Sequence, residues 1–300
     1  MKMGMVGLGR MGMNMAWRLL DGGHQVVAYN RTPDKVEEIA GRGAAKAFTL
    51  EELAAALPAP RVVWLMLPAG PPVDEHIDRL VPLLAPGDII VEGGNSYYRD
   101  DIRRAAALAD HGIGYLDAGV SGGIWGRSVG YCTMVGGEPG LFAAVEPLLR
   151  TLAPPDGYLY CGGAGAGHYV KMVHNGIEYA MMQAYGEGFA LLEASRYGRD
   201  LDYGRVAHLW NQGSVIRSWL LELLEGAFAA SPRLEDLRGY VDDSGEGRWT
   251  VQEAVELGVA APAIATSLFA RFQSREDNAF ANRVLAALRR EFGGHAVKKG

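Results

Sequence analysis

Short apolar runs alternate with amphipathic stretches through the first half of the chain. Residues 3–6, 25–29, 62–67 and 88–91 are dense in apolar side chains and bounded by glycine, proline or polar residues, the pattern of strands buried in a sheet. Residues 11–20, 33–41, 73–84 and 100–111 carry helical spacing between them, the second opening on Pro33. Further strands are predicted at 113–117, 131–135 and 158–161, with a helix at 141–149. Strand–helix alternation implies right-handed crossovers and a mostly parallel sheet, so residues 1–163 read as one doubly wound α/β domain. The pattern then changes. Residues 168–197 form a long proline-free, helix-favouring stretch, and helical patterns recur at 206–210, 216–228, 250–257, 263–272 and 281–292. With no convincing strand among them, residues 164–300 read as an all-α second domain, ending in a disordered tail at 297–300.

Composition narrows the class without changing that picture. Of 300 residues, 49% are hydrophobic and 21% charged, so a collagenous or largely disordered chain is excluded. The net charge of −6 comes without a basic stripe, which argues against a nucleic-acid partner. Two cysteines, Cys132 and Cys161, make no disulfide framework and no metal-ligand spacing, so a reducing, cytoplasmic setting and a metal-free site are expected. Arg10, Asn14 and Arg18 break the apolar run at the N-terminus, against a signal peptide, and no run of about 18 apolar residues predicts a membrane span. Cys132 reads as a buried strand residue, and His24 and His208 as structural.

The first chemistry lies between the first predicted strand and helix. Gly7-Leu8-Gly9-Arg10-Met11-Gly12 matches G-x-G-x-x-G in the context that motif requires, where Gly7 makes the turn, Gly9 admits a pyrophosphate and Gly12 lets helix and strand pack closely. The helix N-terminus supplies N–H groups to the anion. The end of the second strand reads Asn30-Arg31-Thr32, where an NAD site usually places a carboxylate. Arg31 can pair with a 2′-phosphate, so NADP is favoured, with NAD still possible through Asp34.

The densest chemistry is the run from Gly165 to Tyr179. On a helix at about 100° per residue, Lys171, His174, Asn175, Glu178 and Tyr179 share an arc of about 140°. A solvated face usually repeats Lys and Glu; five different functional groups instead suggest a site, with Val173, Ile177, Ala180 and Ala184 opposite to pack. A desolvated Lys171 becomes a base, Glu178 can act as an acid, and Asn175 can orient a hydroxyl or carboxyl group. Beside a nicotinamide, the reaction is oxidation of a secondary alcohol. Val91-Glu92-Gly93-Gly94-Asn95-Ser96 and Asp117-Ala118-Gly119-Val120-Ser121-Gly122-Gly123 each end a predicted strand, where open sheets bind ligands, and Ser121-Gly122-Gly123 offers a carboxylate cradle.

Taken together, residues 7–12, Asn30-Arg31-Thr32, Gly94-Asn95-Ser96, residues 117–123 and 171–179, Gly245-Glu246-Gly247-Arg248-Trp249-Thr250 and Phe292-Gly293-Gly294-His295 resemble the decarboxylating 6-phosphogluconate dehydrogenases of the short bacterial type, within the β-hydroxyacid dehydrogenase superfamily. The resemblance implies a Rossmann-type nucleotide domain and a helical substrate-binding and dimerisation domain. It implies Lys171 as general base and Glu178 as general acid, and oxidation of 6-phosphogluconate to a 3-keto acid that loses CO2 to give ribulose 5-phosphate. Asn95, Ser121, Gly122, Gly123, His174 and Asn175 would hold the sugar acid; Tyr179, Arg289 and His295 would meet its phosphate, the last two reaching a partner's site in a homo-oligomer, a dimer or an assembly of dimers. Met66, Leu67, Pro68 and Asn95 would lie along the cofactor. The sequence departs from the long-chain members at Ser244, where they carry a phosphate-binding Lys, and a further phosphate-binding Arg has no clear match, Arg275 and Arg283 being candidates. A non-decarboxylating 3-hydroxyacid dehydrogenase or semialdehyde reductase shares the nucleotide site, Lys171 and Asn175 and is the rival reading.

Overall fold

The structure is a computed structural model and describes residues 1–293. The chain divides into two compact units, Met1–His174 and Asn175–Gly300. In the first, the order is β1 (Lys2–Val6), α1 (Arg10–Asp21), β2 (Gln25–Tyr29), α2 (Pro33–Ala40), β3 (Ala45–Ala47), α3 (Leu50–Ala56), β4 (Val62–Leu65), α4 (Pro71–Leu80), β5 (Ile89–Glu92), α5 (Tyr98–Ala109), β6 (Gly114–Ser121), α6 (Gly126–Val129), β7 (Cys132–Gly137), α7 (Pro139–Leu152) and β8 (Tyr158–Gly162). Helix α8 (Ala166–Ala194) starts in the first unit and ends in the second, which continues with α9 (Tyr203–Asn211), α10 (Trp219–Ala230), α11 (Glu246–Leu257), α12 (Pro262–Gln273) and α13 (Phe280–Gly293).

The eight strands form one sheet in the order β3-β2-β1-β4-β5-β6-β7-β8. Neighbouring strands are parallel except β6 and β7, which run antiparallel with Asp117 opposite Gly136. The chain leaves β1 toward β2 and β3, then returns to β4 on the other side of β1. Such a reversal of strand order opens a crevice at the carboxyl ends of β1 and β4. All four residues of β4 are buried, and they alternate faces: Trp64 joins one core cluster, while Val63 and Leu65 join the other. A strand covered on both faces therefore reads as a continuous apolar run.

Three elements were not foreseen, one of them α6, a helix of only four residues. Strand β3 has only three residues, Ala45-Lys46-Ala47, too few for a period to show. Helix α3 did carry a signal: Thr49 Oγ1 accepts from Glu52 N at 3.1 Å, while Glu52 Oε2 accepts from Phe48 N at 2.7 Å, a reciprocal cap of the capping-box kind. Cys132 does begin a strand but is exposed rather than buried, because it is the first residue of β7. His24 bonds Thr151 Oγ1 at 2.8 Å, and the exposed His208 bonds Glu225 at 3.1 Å.

The second unit holds no strand among the described residues. Its core is small and aromatic: Phe189, Tyr203, Ala207, Leu221 and Phe228 are buried together, with the rings of Phe189 and Phe228 5.0 Å apart. The packing face of α8 is opposite to the expected one. Lys171, Asn175 and Tyr179 are buried, whereas Ile177 is 50% exposed and Ala184 is also exposed. The polar stripe turns inward, and the apolar side of the helix faces out.

Candidate active site

The loop after β1 is shaped by what it cannot contain. A Cβ on Gly12 would stand 2.0 Å from the Gly7 carbonyl oxygen, so only glycine lets α1 start this close to the strand. Gly9, in contrast, has no atom within 4 Å of where a Cβ would stand, leaving open space above the loop. No side chain caps the N-terminus of α1, so its first N–H groups face that space with the positive end of the helix dipole. Residues 9–12, 66–68 and 93–95, with Val120, line one cavity of about 350 Å³. This is an anion cradle beside a crevice at the switch point of the sheet, and it fits a dinucleotide. Asn30 has a narrower part than its position suggested: its Oδ1 accepts from Leu8 N at 2.9 Å and its Nδ2 donates to Thr32 O at 3.1 Å, which ties the end of β2 to the glycine loop. Arg31 and Thr32 are exposed there, and no carboxylate occupies residues 30–32.

Lys171 is 5% exposed, and its seat is built by missing side chains. A Cβ on Gly119 of β6 would stand 2.4 Å from Lys171 Cβ, and one on Gly167 would stand 2.4 Å from the Met134 carbonyl oxygen. Helix α8 therefore lies directly on the sheet backbone at its first turn. Asp117 of β6 fixes that turn, Oδ1 accepting from Gly165 N at 2.7 Å and Oδ2 from His168 N at 2.9 Å. Burial pushes the Asp117 carboxyl upward, while the positive charge of His168 opposes the rise. The Ser121-Gly122-Gly123 turn follows at the end of the same strand, with Gly122 at φ +135° and Gly123 at φ +52°. Asn95 is exposed at the rim of the cavity.

A buried residue outside the expected set stands beneath this site. His168 is 1% exposed, its Nδ1 2.7 Å from Asp101 Oδ2 and its Nε2 2.8 Å from the Gly94 carbonyl. The sequence did carry a signal, since His168 falls about 60° from Lys171 on a helical wheel, inside the polar stripe. Its partners lie far away in the chain and carried none.

In the second unit, Asn175 and Tyr179 are buried and His174 and Glu178 flank them along α8, His174 itself closing the first unit. Tyr179 is packed from two sides. A Cβ on Gly247 would stand 2.5 Å from its ring, and the Arg271 guanidinium lies 3.4 Å from its ring centre. Tyr179 Oη accepts from Ser244 N at 3.3 Å, and Ser244 Oγ donates to Glu246 at 2.6 Å. Arg271 donates to the Asp242 carbonyl at 2.9 Å. Arg275 and Arg248 instead share Asp243, at 2.6 Å each, and the hydrogen bond from Arg248 leads in holding that carboxyl down to about 2. Arg283 lies by Phe280, 5.2 Å from its ring centre. Arg271 was missed in the sequence because its proximity to Tyr179 depends on how α12 packs. Arg289 is exposed on α13, and His295 lies outside the described residues, as does the tail at 297–300.

Residues 2–163 match the NAD binding domain of 6-phosphogluconate dehydrogenase, and residues 167–294 match the C-terminal domain of that enzyme. The chain belongs to the 6-phosphogluconate dehydrogenase family. It is 46% identical over 301 residues to the NAD(+)-dependent, decarboxylating 6-phosphogluconate dehydrogenase of Haloferax volcanii, covering 100% of this chain and 99% of that one. Among solved structures, the Plasmodium falciparum 6-phosphogluconate dehydrogenase, described with NADP+ and with 6-phosphogluconate, superposes with a TM-score of 0.84 at 30% identity. That match covers 100% of this chain and 66% of the longer one. A Mycobacterium tuberculosis 3-hydroxyisobutyrate dehydrogenase shares the fold, with a TM-score of 0.74 at 24% identity over 96% of this chain and 99% of its own. Within the 6-phosphogluconate dehydrogenase family, the departure at Ser244 now has a structural setting: its hydroxyl is turned to Glu246, and the cation beside Tyr179 is Arg271. No described helix is long and apolar enough to cross a membrane.

Proposed function

We propose that this chain oxidises 6-phospho-D-gluconate to D-ribulose 5-phosphate and CO2, with NADP, or NAD, as the hydride acceptor. The observation that carries the reading is Lys171, a nearly buried lysine pressed onto Gly119 at the end of a strand whose neighbours line the dinucleotide cavity. In it, residues 1–163 bind the dinucleotide and residues 164–300 bind the substrate and join the subunits of a homo-oligomer. Support for the oligomer is the outward apolar side of α8, where Ile177 is 50% and Leu191 74% exposed. A cytoplasmic setting goes with the reading.

The bound nicotinamide supplies the hydride acceptor. Lys171 Nζ takes the proton of the 3-hydroxyl as the C3 hydride departs, leaving a 3-keto acid. The C1–C2 bond then breaks to release CO2, its electron pair passing into the keto group to give an enediol, with Lys171 returning its proton to the developing oxygen. Glu178 then delivers a proton to the former C2, which becomes C1 of ribulose 5-phosphate, while Lys171 takes back the enol proton from the oxygen on the former C3, leaving the ketone at C2 of the product. Asn175, His174, Asn95 and the Ser121-Gly122-Gly123 turn orient the hydroxyls and carboxylate. Arg271 and Tyr179 meet the phosphate, with Arg289 and His295 coming from a second copy. Arg31 pairs with the 2′-phosphate of NADP, since Asn30 is already engaged by Leu8.

The test is nicotinamide reduction with 6-phosphogluconate, run in parallel with NADP and NAD while CO2 is trapped. Reduction with equal CO2, faster with NADP, supports the reading. Reduction without CO2 transfers it to the non-decarboxylating dehydrogenases, and a faster rate with NAD removes the part given to Arg31.

A further inference from the structure

Four ionisable groups, three of them carboxylates from β5, α5 and β6 and the fourth on α8 itself, cluster at the start of α8 with almost no access to solvent. Glu92 of β5, Asp101 of α5, Asp117 of β6 and His168 are each at most 1% exposed. Around them, Tyr115 Oη donates to Asp101 Oδ1 at 2.7 Å, and Arg104 Nη1 lies 3.7 Å from the same oxygen. Buried carboxylates at this density require buried cations; Arg104 is one, and the hydrogen bonds identify His168 as a second. His168 Nε2 faces a backbone carbonyl, an obligate acceptor, and Nδ1 faces a carboxylate, so both nitrogens carry protons and the ring is an imidazolium. Burial by itself would lower its proton affinity; the charges of Asp101, Glu92 and Asp117 and the bond to Asp101 overcome this and push it up to about 10. Glu92, Asp101 and His168 also resemble a metal-ligand set, but Nδ1 and Oδ2 stand 2.7 Å apart, whereas two ligands of one tetrahedral zinc stand about 3.3 Å apart. A proton fits that gap.

The carbonyl bound by Nε2 belongs to Gly94. Gly93, Gly94 and Asn95 form one wall of the dinucleotide cavity, and Gly94 N donates back to Glu92 Oε1 at 2.8 Å. Three residues along α8 from His168 is Lys171, about 4.5 Å further up the helix axis. One side chain thus joins the helix of the proposed base to the wall against which the dinucleotide would lie. We propose that His168 is a positioning residue: through the Gly94 carbonyl it fixes the turn at residues 93–95 relative to Lys171, and so sets where the dinucleotide sits. The inference deepens the proposed function and rests on its dinucleotide site, not on the identity of the sugar acid.

Two neutral amides separate this part from simple charge balance. In His168→Gln the amide nitrogen falls where Nε2 was and still reaches the Gly94 carbonyl. In His168→Asn it falls near Nδ1 and reaches Asp101 alone. Both lose the charge, so both lose thermal stability to a similar extent. Titration of NADPH by its fluorescence, well below either melting temperature, should show affinity within about threefold of the parent for Gln and about tenfold weaker for Asn, the loss of one charge-assisted hydrogen bond. Equal affinities in the two variants, or losses that merely track melting temperature, overturn the proposal. If either variant does not fold, the pair is compared in the Asp101→Asn background, which leaves one buried carboxylate fewer. Substrate is absent from the titration, so a parent protein that binds NADPH but does not turn over 6-phosphogluconate refutes the reaction and leaves this comparison decisive. A parent that binds only NADH moves the same comparison to that dinucleotide, and a parent that binds neither refutes both.

Discussion

The two units of this protein solve burial in opposite ways. In the first, both faces of an eight-stranded sheet are covered, and strands such as β4 have no exposed residue. Fully burying a leucine or isoleucine is worth about 1.5–3 kcal/mol, and here it is repeated on both faces. In the second, five residues make up the core, while Leu191, Leu209, Val215 and Phe269 are each more than half exposed. Their ionic centres differ as well. The first unit surrounds one imidazolium with carboxylates; the second surrounds one carboxylate, Asp243, with two guanidinium groups. The first unit buries its apolar residues on both faces of the sheet, and the second leaves much of its apolar surface exposed.

The largest expected effect breaks the chemical half of this contrast. Lys171→Met should lower kcat by about 10³-fold while NADPH titration stays near the parent value, because the general base is lost and the dinucleotide cavity is not. Equal losses in both readouts would make Lys171 a structural residue. Next, Arg271→Met should raise the KM for 6-phosphogluconate about 10- to 100-fold, as expected when a charged group loses its partner, whereas Arg275→Met, whose charge is already taken by Asp243, should raise it much less.

A paired substitution measures the sealed unit against the open one. Gly119→Val pushes atoms into Lys171 and should cost about 1–3 kcal/mol in denaturant unfolding. Ile177→Ser, on the outward side of α8, should leave subunit stability within about 0.5 kcal/mol yet shift the sedimentation of the assembly toward monomer. An unchanged sedimentation profile would place the subunit contact elsewhere.

The smallest effect is in pH. The proton affinity of His168 is raised from 6.5 to about 10 on folding, so the stability it contributes is complete below about 6.5 and is lost as pH rises toward 10. Asp243 is shifted the other way, from 3.8 to about 2, so its contribution is complete above 3.8 and is lost as pH falls toward 2. Amide exchange should therefore rise first in α5 and the start of α8 in alkali, and first around α11 in acid. The same order at both extremes would contradict the assignment of the two ionic centres.

What could be read from the chain follows the same division. In the first unit, strands announce themselves by apolar runs and turns by glycine, so the sheet, the loop at residues 7–12 and the position of Asn30 were legible. Beta strands as short as β3 were not. In the second unit, helices were legible from spacing, but the face that packs was not: the apolar side of α8 at Ile177 looked like a core face and is exposed. A period reports that a helix has two sides and is silent about which side meets the same chain. For the same reason Arg271 and the partners of His168 stayed hidden, since each depends on contacts across many residues of sequence.

The glycines under Lys171 carry a consequence for anyone ranking positions by mutational damage. Gly119 and Gly167 admit no side chain, since each would collide within 2.4 Å of its neighbour. Neither has a functional group to offer a reactant. A saturation screen scored by growth would nevertheless rank them beside Lys171, and a search for chemistry by intolerance alone would return the floor of the site together with its reagent. Only the chemical character of the tolerated replacements would tell them apart: none of any kind at the glycines, and at the lysine a sparse residual activity confined to a side chain that can still accept a proton, such as histidine.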